Sequence, residues 1–150
     1  MSHLPESERL ARSFARCQDL ATTYAGFVYR SAAPQYANRD DLLTGSGSKI
    51  AGARWNPPGS FRTIYTSCDP ETALAEALAY FRHYELPIER AMPRVIVSVE
   101  AKLLKVIELT NGGVRKVLGV SEERLLAEPW RQLQKHGREA LTQTLGKLAF

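Results

Sequence analysis

Cysteine, histidine and long apolar runs are all scarce in this sequence. The two cysteines, Cys17 and Cys68, lie far apart, and histidine occurs only at positions 3, 83 and 136. That supply excludes a disulfide scaffold and offers no metal-ligand spacing, so no metal is expected. No apolar stretch approaches the roughly 18 residues of a membrane span, and no basic-then-apolar leader opens the chain. Free thiols without a leader point to a reducing compartment, the cytoplasm, and to no membrane partner. Eight prolines and ten glycines are too few for a collagen-like or Pro-rich spacer.

What is present suits a folded domain. The chain has 150 residues, 44% of them hydrophobic and 24% charged, enough to bury a core without a staple. The formal charge is +4, and the excess is uneven. Residues 1–80 carry eight basic and eight acidic side chains; residues 81–150 carry twelve and eight. An excess this diffuse does not signal nucleic-acid binding, but a few converging arginines suit an anionic small molecule.

Along the chain, Leu10, Phe14, Cys17 and Ala21 recur at helical spacing and predict a helix over 6–20, covering a core or binding a partner. Residues 26–31 read as a short strand and 32–52 as a long loop with a mobile Gly-Ser run at 45–48. A β-rich pentad occupies 63–67. Asp69 and Pro70 then supply the cap and first position of a helix running to about Tyr84. Strands are predicted at 94–100 and 103–109, short helices at 113–118 and 121–127, and a helix from about 138 to the end.

Taken in order, Tyr29-Arg30, Gly52-Ala53-Arg54-Trp55-Asn56-Pro57-Pro58-Gly59, Ile64-Tyr65-Thr66-Ser67, Ala73-Leu74-Ala75-Glu76 and Thr142-Gln143-Thr144-Leu145-Gly146 resemble the RES domain. The resemblance implies an α+β fold related to ADP-ribosyltransferases, in which a split, bent β-structure with flanking helices cradles NAD. It implies a domain at 26–150 behind a helical extension at 1–25. It further implies a toxin that consumes NAD by hydrolysis or phosphorolysis, with inorganic phosphate as one acceptor, or that transfers ADP-ribose to a protein. The expected partner is an antitoxin with a helix-turn-helix domain. The family's arginines fall on Arg30 and Arg54, its nicotinamide-side aromatic on Tyr65 beside Tyr29, and its glutamate on Glu76. Its serine and final strands lie beyond the segment resembling 142–146, so the domain is expected to be incomplete at its carboxy end. A domain that only binds its antitoxin is therefore the alternative.

The chemistry of these residues suits that role. NAD carries a doubly charged pyrophosphate, and breaking its nicotinamide–ribose bond leaves a cationic sugar. Guanidinium forks fit phosphate oxygens, and a carboxylate stabilises the cation. Glu76 lies among small alanines on a helix, which lets a ligand approach. Strand alternation places Thr63, Tyr65 and Ser67 on one face, where the Tyr65 ring offers a stacking surface. Each residue also has a plain reading. The arginines are solvated or pair with a local carboxylate such as Asp40 or Asp41, Glu76 and His83 are solvated helix residues, and Tyr65 is a half-buried strand tyrosine. Ser67 and Cys68 have no identifiable base, and the Asn56-Pro57-Pro58-Gly59 turn reads as a rigid support for Arg54.

Overall fold

The computed structural model describes residues 4–150. The chain is α+β, as the motifs imply. Its elements are α1 (Glu6–Cys17), β1 (Thr22–Ala32), α2 (Arg39–Leu43), α3 (Ser46–Ala51), α4 (Pro70–His83), β2 (Val95–Val106), α5 (Gly112–Leu118), α6 (Glu122–Ala127), α7 (Trp130–Lys135) and α8 (Leu141–Ala149). β1 and β2 pair as an antiparallel two-stranded sheet. The chain divides into two compact units. One comprises the residues up to Tyr24 with Gly47–Arg62 and Leu103–Phe150; the other comprises Ala25–Ser46 and Thr63–Lys102.

The first unit is mostly helical. The spacing of Leu10, Phe14 and Cys17 puts all three on one face of α1, and that face is buried with Val114 and Leu118 of α5 and Leu141 and Leu145 of α8. Complete burial of a Leu or Phe side chain contributes roughly 1.5–3 kcal/mol, so α1 is a covering helix built into this core. Burial pushes the Cys17 thiol pKa up, keeping it a protonated, apolar filler. Local signals set the ends of the neighbouring helices. Asn111 Oδ1 accepts from the Gly113 and Val114 amides to start α5, and Gly119 closes it with φ +68°. Ser121 Oγ accepts from the Arg124 amide to start α6.

The second unit is organised around the sheet and α4. Asp69 caps α4 as its sequence predicts, its carboxylate accepting from the Thr72 amide and hydroxyl at 2.7 Å each. Three expectations change here. The pentad at 63–67 forms no ladder; only Ser67 bridges β1, exchanging two backbone bonds with Tyr29. The cap at Asp69 turns the chain away two residues later. The two strands predicted at 94–100 and 103–109 are one strand ending at Val106, since no Gly or Pro interrupts 95–106. The loop predicted at 32–52 contains α2 and α3. Asn38 caps α2 by accepting from the Asp41 amide, and Gly45 takes φ +63° where a Cβ would meet the Thr63 backbone at 2.9 Å.

Candidate functional site

Four of the five candidate residues, Tyr29, Arg30, Tyr65 and Glu76, belong to the second unit. β1 carries Tyr29 and Arg30, both half-buried. Arg30 reaches α2, where its Nη1 donates to the Leu42 carbonyl. Burial pulls its pKa down, yet a guanidinium stays cationic at any ordinary pH. A partly dehydrated, fixed cation of this kind suits a phosphate oxygen. Arg94 braces the same strand, its Nε donating to Ser31 Oγ and its Nη2 to the Ser31 carbonyl, both at 2.8 Å.

Tyr29 and Glu76 are joined through a residue that sequence reasoning set aside. The Tyr29 amide donates to the Ser67 carbonyl at 2.8 Å, and the Ser67 amide donates back at 2.9 Å. From this anchored backbone the Ser67 hydroxyl donates to Glu76 Oε2 at 3.0 Å. Ser67 is 7% exposed, whereas Glu76 is exposed on α4. The carboxylate thus has one oxygen tied to the protein and reaches solvent. The available signal for Ser67 was the alternation that set it on the face of Tyr65. That alternation holds without a ladder, since Thr63, Tyr65 and Ser67 are more buried than Ile64 and Thr66. His83 stands apart in the last turn of α4, its ring edge-on to Tyr84 at 4.7 Å.

Arg54 belongs to the first unit. Its Nη2 donates to the carbonyls of Leu125 at 2.7 Å and Leu126 at 3.3 Å, in the last turn of α6. Neither plain reading of Arg54, solvation or pairing with a local carboxylate such as Asp40 or Asp41, includes these helix-end carbonyls. The following turn is anchored locally, the backbones of Ala53 and Asn56 bonding each other. Asn56 is fully buried, and its Nδ2 donates to the Ser48 carbonyl at 2.7 Å. Gln143, 1% exposed, holds the other side of Arg54. Its Nε2 donates to the Ala53 carbonyl at 3.0 Å and to Gln134 Oε1 at 2.8 Å, while its Oε1 accepts from the Ala140 amide at 3.1 Å.

Chemically, the second unit offers a fixed cation, aromatic rings and a solvent-reaching carboxylate. These are groups that bind an anion and stabilise a positive charge formed beside it. Among the described residues no His, Cys, Asp and Glu cluster is gathered for a metal, and no helix is long and apolar enough to cross a membrane.

Comparison with known proteins agrees with the motifs. The NAD(+) phosphorylase MbcT of Mycobacterium bovis and that of Mycobacterium tuberculosis are each 24% identical to this chain over 102 residues, 67% of this chain and 55% of theirs. The chain therefore spans about half the length of the curated relatives it matches. A chain in the crystal structure of the M. tuberculosis MbcT-MbcA toxin-antitoxin complex shares the fold, with a TM-score of 0.73 at 21% identity over 97% of this chain and 72% of that one. The RES domain matches residues 27–149, and with the ordered motifs inside that span the chain belongs to the RES domain family.

Proposed function

We propose that this chain consumes NAD by breaking the bond between nicotinamide and ribose. Nicotinamide leaves with the bonding electron pair, and an oxygen of inorganic phosphate attacks C1 of the ribose; water is the alternative nucleophile. Phosphate is favoured because the similar mycobacterial proteins are named NAD(+) phosphorylases. In this reading Arg30 holds pyrophosphate oxygens, and Tyr65 with Tyr29 flanks the nicotinamide; the family resemblance assigns the pyrophosphate role to Arg54 as well. Glu76 stabilises the cationic ribose electrostatically, as preorganised charge does in glycosidic cleavage. The observation that carries the reading is the exposed Glu76 carboxylate, tied through Ser67 to the strand that bears Tyr29 and Arg30.

A toxin of this kind needs restraint. The toxin-antitoxin complex with the shared fold supports a protein antitoxin as partner, and the family resemblance supports one with a helix-turn-helix domain. The test is release of free nicotinamide from NAD by the purified chain, with and without inorganic phosphate and without antitoxin. Phosphate-dependent release is expected, and Glu76→Gln is expected to slow it by about 100-fold or more. Undiminished release by that variant, or none from the native chain, overturns the reading.

A further inference from the structure

We propose that Ser67 is a positioning residue that orients the Glu76 carboxylate for the ribose. The inference rests on the reading of Glu76 given above and adds a residue to it.

A glutamate on an exposed helix face rotates about three side-chain bonds, and hydration alone does not select one arrangement. Glu76 is restrained at one oxygen. The Ser67 hydroxyl donates to Oε2 at 3.0 Å, a charge-assisted bond stronger than one between neutral groups. A carboxylate has about four lone-pair sites, so this bond leaves Oε1 available to a ligand.

The donor is itself held. The backbone of Ser67 is bonded on both sides to Tyr29 of β1, and its residue is 7% exposed. Two residues later Asp69 caps α4, the helix that carries Glu76. Both ends of the hydrogen bond therefore belong to elements locked by backbone bonds and a helix cap. Its acceptor is solvent-reaching, so water can solvate the carboxylate when the hydroxyl is removed. Loss of this bond should change orientation more than stability, which separates positioning from simple support.

The test uses the full chain with Ser67→Ala, Ser67→Thr and Glu76→Gln, measuring nicotinamide release over a range of NAD concentrations in inorganic phosphate, with thermal unfolding alongside. Ser67→Ala is expected to lower kcat about tenfold, with KM changed less than about twofold and Tm nearly unmoved, because misorientation of a catalytic group affects the chemical step. Ser67→Thr, which keeps the hydroxyl, is expected to restore kcat. Should the alanine variant fail to fold, Ser67→Cys provides the same comparison, since a thiol is a weak donor. Full kcat in Ser67→Ala beside an inactive Glu76→Gln overturns the positioning role and leaves NAD cleavage standing. A loss confined to KM, or one that threonine does not restore, also overturns it. No nicotinamide from the native chain, or full activity in Glu76→Gln, overturns the underlying reading and this inference with it.

Discussion

Gly146 of α8 lies directly against the backbone of Trp55: a Cβ on Gly146 would stand 1.7 Å from the Trp55 carbonyl oxygen and 2.8 Å from its carbonyl carbon. Glycine in a helix costs about 1 kcal/mol relative to alanine, and here it permits a close approach that no side chain allows. The residue brought against α8 is the one that follows Arg54.

Gly146→Ala should therefore destabilise the chain despite alanine's better helix propensity. The overlap is with backbone, so α8 or the 53–56 turn must shift, at a cost of about 3 kcal/mol. A thermal unfolding scan checks this, with Gly47→Ala as the contrast. Gly47 lies in α3, and a Cβ there meets nothing within 4 Å, so that variant should hold or raise Tm. An unchanged Tm in Gly146→Ala contradicts the contact.

The cap of the helix bearing Glu76 gives a pH prediction. The bond from the Thr72 amide, then that from its hydroxyl, holds the Asp69 carboxyl below the ordinary aspartate range. A carboxylate with a depressed folded-state pKa adds stability that is present above its unfolded pKa of about 4 and lost as pH falls through the folded value. Asp69→Asn keeps a carbonyl oxygen to accept from the Thr72 amide but cannot titrate. Its urea midpoint should fall less steeply than that of the native chain on acidification from pH 5. Parallel curves for the two proteins would remove Asp69 from the acid response.

The difference between what could and could not be read in advance follows the range of the interactions. α4 was legible because its cap, its first proline and its apolar residues lie within one short segment. α1 was legible from the period of Leu10, Phe14 and Cys17, although the identity of their core partners was not. The Asn38 cap is equally local, but residues 32–52 show no clear apolar period and include the Gly-Ser run at 45–48, which reads as loop and hides α2 and α3. The candidate residues were recognised by motif, yet their surroundings were not. Gln143 meets the Ala53 carbonyl across 90 positions, and Arg54 meets Leu125 across 71. Neither pairing leaves a trace in composition or periodicity. Ser67 was the intermediate case, placed on the correct face by alternation while its carboxylate partner came from the following helix.

Arg54 yields the prediction that best separates structural from functional roles. Its Nη2 donates to the Leu125 and Leu126 carbonyls, which belong to the end of α6 where intrahelical donors run out and the helix dipole is negative. Arg54→Ala should therefore lower stability by about 1–2 kcal/mol before any substrate is added. Arg54→Lys keeps the charge but not the planar fork, so it should recover part of that loss. If the same guanidinium also binds a pyrophosphate oxygen, the lysine variant should raise KM for NAD about tenfold, because a point charge replaces a bidentate donor. Unfolding measured without NAD reads the first role, and initial rates measured well below Tm read the second. An unchanged Tm in Arg54→Ala would show that the carbonyl bonds contribute nothing, whereas an unchanged KM in Arg54→Lys would leave Arg54 as the clamp of α6 and remove it from the NAD-binding set.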